Sequence, residues 1–172
     1  MELFSQPEGS IFSPELELAT GYVALEAAQL EDTLGELVVL YAQLARETAG
    51  PDGATEPQNQ EAAPKGWWTS GEQLLTALRA IGEPSLDALI AGYEQLHGQR
   101  NTVVHALPLT MPGTDMDFTT KRVKSTKGDE QPAGYTLAPT SAADRLELAA
   151  QFRQLDSLAS DAVTAVMGSC LL

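Results

Sequence analysis

Residues 14–49 read PELELATGYVALEAAQLEDTLGELVVLYAQLARETA, and this stretch decides the fold class. Ser13 can cap a helix, Pro14 suits its first position, and Glu15 favours the positive end of the helix dipole. Leu18, Tyr22, Leu25, Leu30, Leu34, Leu37, Val38, Tyr41 and Leu44 then recur at three- and four-residue steps, the spacing of an amphipathic helix. The pattern predicts one long helix over 14–49, closed by Gly50-Pro51. Glu26, Glu31, Asp32 and Glu36 interrupt its most apolar part, which argues against a membrane span.

Outward from this helix, residues 50–66 combine Pro, Gly, Gln, Asn and acids without apolar periodicity, the composition of a flexible loop. Trp67 and Trp68 close the loop, either as a packed lid or as a platform for stacking bases. Ser70-Gly71-Glu72-Gln73 resembles a capping box and opens a short helix through Leu74, Leu75, Leu78 and Ile81, ended by Gly82. Pro84 starts a third helix through Leu86, Leu89, Ile90, Tyr93, Leu96, Val103, Val104 and Leu107, running to about Ala106, where Pro108 forbids continuation. Residues 108–139 switch to threonine, glycine and mixed charge, predicting a small β-hairpin or an irregular flap. Ser141 to Asp144 form a second capping box, and Leu146, Ala149, Phe152, Leu155, Ala159, Val163 and Val166 define the last helix.

Four helices in 172 residues predict a single all-α domain over 1–172, arranged as an up-and-down four-helix bundle. Hydrophobic residues make up 43% and charged residues 20% of the chain, which is globular composition. Met1 to Ser10 do not have the pattern of a secretory signal. The lone cysteine, Cys170, rules out an intrachain disulfide and suits a reducing cytoplasm, the expected location. The formal net charge of −14 weighs against tight duplex binding. It leaves room for a local cationic site that engages a short single strand weakly and in a salt-sensitive way.

The chemistry concentrates on the third helix, where both histidines of the chain lie within YEQLHGQRNTVVHA, residues 93–106. His97, Asn101 and His105 share a stripe at four-residue steps, whereas Arg100 and His105 lie about 140° apart around the axis. His97 and His105 are about 12 Å apart along the axis, too far to share a tetrahedral ion. No metal site and no cofactor are expected. A metal-independent ribonuclease needs a group that takes the proton of a 2′-hydroxyl and a cation that meets charge growing on phosphate. His105 and Arg100 are of those types, and Asn101 could orient the imidazole or bind a phosphate oxygen. If the third helices of two copies meet about a dyad, residues from different sides of one helix can converge in a shared cleft.

Arg100-Asn101-Thr102-Val103-Val104-His105 resembles the Arg-Asn-x-x-x-His motif of the HEPN superfamily, in which arginine, a polar residue and histidine lie late in a helix of an all-α bundle. The resemblance implies a homodimeric, metal-independent endoribonuclease with a composite cleft, in which Arg100 and His105 are catalytic and Asn101 is the polar position. It also implies a bacterial toxin–antitoxin or phage-defence setting in which a protein partner regulates the activity. Lys121, Arg122, Lys124 and Lys127 hold four of the ten basic residues, and either guide RNA phosphate or protect a solvated strand edge.

Plainer roles stand beside these. His105 can cap the helix C-terminus, His97 can pack or face solvent, and Arg100 can pair with Glu26, Glu31, Asp32 or Glu36. The alternative function is a noncatalytic HEPN-like module that binds a protein or RNA. A third is an acidic, antitoxin-like binder of a basic partner.

Overall fold

The computed structural model describes residues 13–49, 70–105, 107–110, 117–122 and 135–169. They are mostly helical. The order is α1 (Pro14–Ala49), α2 (Glu72–Ile81), a 3-10 turn (Pro84–Leu86), α3 (Asp87–His105), β1 (Leu107–Thr110), β2 (Asp117–Arg122), β3 (Tyr135–Thr140) and α4 (Ala142–Ser169). The loop at 50–66, Trp67, Trp68, Lys124 and Lys127 lie outside the described residues. Among the described residues, no helix is long and apolar enough to cross a membrane.

The chain forms two compact units, each made from two stretches: Met1–Leu25 with Gly98–Ala150, and Glu26–His97 with Gln151–Leu172. In the first unit, Ser13 caps α1 as its sequence suggests, its hydroxyl accepting from the Leu16 amide at 3.2 Å. The same hydroxyl donates to Asp117 Oδ2 at 3.0 Å, tying the start of β2 to the start of α1. At the head of α4 the capping box forms in full. The Asp144 amide donates to Ser141 Oγ at 3.1 Å, and the Ser141 amide donates back to Asp144 Oδ2 at 3.1 Å.

The excursion before α4 is a three-stranded antiparallel sheet in the order β1-β2-β3, one strand more than a hairpin. Its prolines explain the order. Pro108 and Pro139 sit on the two outer strands, where a missing N–H costs least, and threonine-rich β2 takes the centre. Phe118 lies opposite Pro139, and Thr119 opposite Ala138, so the two sets occupy opposite faces. The face carrying Asp117 meets Ser13, whereas Leu137 on the other face is 55% exposed.

In the second unit, α2 begins differently from the sequence expectation. Its cap is Gly71, with φ +60° and ψ −131°, and no side chain caps the helix, so the Ser70–Gln73 box does not form. The Gly71 amide instead donates to Tyr93 Oη at 3.0 Å, and Tyr93 donates to Glu31 Oε1 at 2.8 Å. This chain of bonds links α1, α2 and α3. Gly82 ends α2 in the left-handed conformation with its amide on the Arg79 carbonyl, as a helix-closing glycine should. Arg153 on α4 bonds Glu26 on α1, its Nε donating at 3.1 Å to Oε1 of a carboxylate that is nearly buried.

Burial corrects the expected core positions at the N-terminal ends of two helices, while Leu30, Leu34, Leu37 and Val38 on α1 and Ala149, Phe152, Leu155, Ala159, Val163 and Val166 on α4 are buried as expected. On α1 the covered side runs Leu16, Ala19, Val23, Ala27, Leu30, Leu34, Leu37 and Val38, while Leu18, Tyr22 and Leu25 are 62%, 40% and 57% exposed. The small side chains of Ala19, Val23 and Ala27 mark the packed face because they permit close approach. On α4, Leu146 is exposed and its neighbour Arg145 is buried in its place, followed by Leu148, Ala149, Phe152, Leu155 and Ala159.

Candidate functional site

The last two turns of α3 carry the three candidate catalytic residues, all in the first unit. Arg100 continues the buried line of Leu89, Tyr93 and Leu96, since seven residues return a helix to within about 20° of its starting direction. It is accordingly half-buried, and its buried Nε has no hydrogen-bond partner among the described residues. Its Nη1 donates to Asn101 Oδ1 at 3.1 Å, so the two adjacent polar side chains hold each other.

His105, the final residue of α3, is exposed. An exposed imidazole can reach a substrate without displacing protein atoms. Its separation from Arg100 around the axis appears in the structure as a difference in burial. Thr102 donates to the Gly98 carbonyl at 3.2 Å, so its hydroxyl is used within the helix.

His97 belongs to the second unit and packs there. Its ring lies 5.8 Å from that of Tyr93, and its Nε2 would stand 2.8 Å from a Cβ added at Gly71. Of the acids considered as partners for Arg100, Glu26 is bonded to Arg153 and Glu31 to Tyr93. Lys121 and Arg122 lie on β2 opposite Thr136 and Tyr135. Among the described residues, the β1 pairing reaches Thr120 and β3 pairs with β2 at these two positions. Among the described residues, no three of His, Cys, Asp and Glu come together in a way that could hold a metal ion.

The sequence reading missed Arg145. It sits in the first turn of α4 at 1% exposure, with Nη1 donating to Thr20 Oγ1 and with Nε and Nη2 lacking partners among the described residues. Burial pushes its guanidinium below the ordinary arginine range, partly opposed by the charge of Asp117. The available signal was positional: Arg145 falls three and four residues before Leu148 and Ala149, on the seam of the helix. A separate shallow cleft of about 200 Å³ in the second unit carries Gln95, Gln151 and Gln154 beside Leu158. These groups can hydrogen-bond but cannot exchange a proton near neutral pH.

Comparison with protein-family models, curated proteins and solved structures finds no match to this chain.

Proposed function

We propose that the chain is a HEPN-like, metal-independent endoribonuclease built on an up-and-down four-helix arrangement and working as a homodimer. The observation that carries this reading is the end of α3, where Asn101 steadies a half-buried Arg100 and His105 stands exposed one turn further on. His105 takes the proton of a 2′-hydroxyl, and the 2′-oxygen attacks the adjacent phosphorus. The bond from phosphorus to the 5′-oxygen breaks, solvent supplies the leaving oxygen with a proton, and a 2′,3′-cyclic phosphate remains. Arg100 meets the charge that develops on the phosphate.

Because Arg100 and His105 point to different sides of one helix, the same residues of a second copy complete the cleft. Lys121, Arg122, Lys124 and Lys127 draw a single strand toward it against the acidic balance of the chain. The setting that fits such an activity is toxin–antitoxin or phage defence, where a protein partner restrains it.

The test is cleavage of a labelled single-stranded RNA in excess chelator, with the product ends identified by mass. Cyclic phosphate or 3′-phosphate ends support the reading. Absence of cleavage at both low and physiological salt rejects it.

A noncatalytic module that docks a protein is favoured by a different observation. Six of the eight large apolar side chains that are exposed among the described residues, Leu18, Tyr22, Leu25, Val104, Leu137 and Leu146, lie in the first unit. Leu18, Tyr22 and Leu25 form one stripe of α1, the kind of surface a partner protein covers.

A further inference from the structure

We propose that the cleft between α3 and α4 in the second unit binds a purine base. α3 lines it with Gly92, Gln95 and Leu96, and α4 with Gln151, Gln154, Leu155 and Leu158. Both sets follow the three- and four-residue steps that keep side chains on one side of a helix. The two helices run close together here because residue 92 has no side chain: a Cβ on Gly92 would stand 3.0 Å from Leu155 Cδ1. The volume of about 200 Å³ is smaller than the roughly 300 Å³ at which pockets for drug-sized ligands begin, and leaves room for a single ring system.

The lining selects the chemistry of the ligand. None of its side chains is charged, and the charged residues next to them in sequence are engaged on other elements. Glu94 pairs with Arg79, Arg153 bonds Glu26, and Asp156 accepts the Thr33 hydroxyl. A charged ligand would find no counter-charge in the lining, so the cleft suits a neutral one. Each glutamine offers an acceptor oxygen and two donor hydrogens, the combination that pairs in bidentate fashion with adenine. All three glutamines are exposed, so each meets a ligand without giving up a buried partner. Gln95 stands on one wall and Gln151 and Gln154 on the other, which calls for hydrogen-bonding groups on two edges of the ligand. Leu96, Leu155 and the 55% exposed Leu158 supply the apolar contact that a flat ring needs on its faces. A purine meets both demands, whereas a sugar lacks the apolar faces and a pyrimidine is too short to reach both walls. The inference is independent of the ribonuclease reading of α3, because a nucleoside has no phosphodiester bond to cut.

The test is an NMR titration of the full-length protein that follows the side-chain amide signals of Gln95, Gln151 and Gln154. Each signal is assigned by its loss in Gln95→Ala, Gln151→Ala or Gln154→Ala. Adenosine should shift all three saturably, with half-saturation at or below about 1 mM. Uridine should bind several-fold more weakly and ribose not at all. 5′-AMP should match adenosine within a few-fold, since the lining offers nothing to its phosphate. The variant carrying both Gln151→Ala and Gln154→Ala should bind adenosine roughly tenfold more weakly, with unchanged circular dichroism.

No saturable shift up to about 10 mM adenosine overturns the proposal. Uridine binding as tightly as adenosine, a response to ribose alone, or binding of 5′-AMP without binding of adenosine does the same. Adenosine affinity that survives intact in the double variant also overturns it. Should that variant not fold, Gln95→Ala on the opposite wall gives the same readout, and an unchanged affinity there is equally fatal.

Discussion

Replacing Gly71 with alanine should destabilise the protein far more than a loop glycine ordinarily would, for two separable reasons. The first is backbone strain: φ +60° with ψ −131° is glycine territory, and holding an L-residue there costs about 1–3 kcal/mol. The second is steric. A Cβ at this position meets His97 Nε2 at 2.8 Å and Cε1 at 3.3 Å, and relieving such overpacking costs about 1–3 kcal/mol. The reduced freedom of the unfolded chain returns about 0.4–1 kcal/mol. The net loss is about 1–5.5 kcal/mol, or roughly 2–22 °C in Tm for a chain of this size. Urea denaturation of wild type, Gly71→Ala, His97→Ala and the double variant measures it. The double variant should recover the steric part and keep the strain. A Gly71→Ala loss below about 1 kcal/mol would refute the reasoning, and so would a double variant whose losses simply add.

Other positions should respond as follows. Tyr93→Phe removes the hydroxyl that joins Gly71 to Glu31, and denaturant unfolding should show a loss of about 1–3 kcal/mol. Ser141→Ala opens the capping box of α4, with an expected loss of about 1 kcal/mol by the same method. Leu30→Ala should cost about 2–5 kcal/mol, whereas Leu18→Ser, on the exposed stripe, should stay within about 0.5 kcal/mol in a monomeric background. A much larger loss at Leu18, measured across protein concentrations, would show that a second copy covers that stripe. Sedimentation should give a dimer at micromolar concentration; a strict monomer would remove the composite cleft.

Much of the helical framework was legible because its punctuation is local. Ser13-Pro14, Gly82, Pro84 and Ser141 with Asp144 each fix a helix end through chemistry contained in a few residues. The packed face at the N-terminal end of α1 was harder to see, because large side chains at Leu18, Tyr22 and Leu25 compete with a second line through Leu16, Ala19 and Val23. Size suggested the first line, and close packing chose the second. Gly71 misled for a related reason: Ser70 and Gln73 have the spacing of a capping box, but the Gly71 amide is claimed by Tyr93, 22 positions away. Arg145 was invisible for the opposite reason. A charged residue beside Leu146 reads as solvent-facing, and only the partners of α4 reverse the pair. At the end of α3 the sequence identified the residue types, and the structure adds the Arg100–Asn101 bond and the exposure of His105.

The central claim is that the imidazole of His105 moves a proton during RNA cleavage. Single-turnover cleavage of a single-stranded RNA, in chelator and at low salt, tests it directly when wild type is compared with His105→Ala and His97→Ala. General acid–base catalysis predicts a rate loss of about a hundredfold or more for His105→Ala, with unchanged circular dichroism and oligomeric state, while His97→Ala cleaves within a few-fold of wild type once its fold is verified. A His105→Ala enzyme that cleaves within about fivefold of wild type, or a wild type that does not cleave at all, would contradict the account.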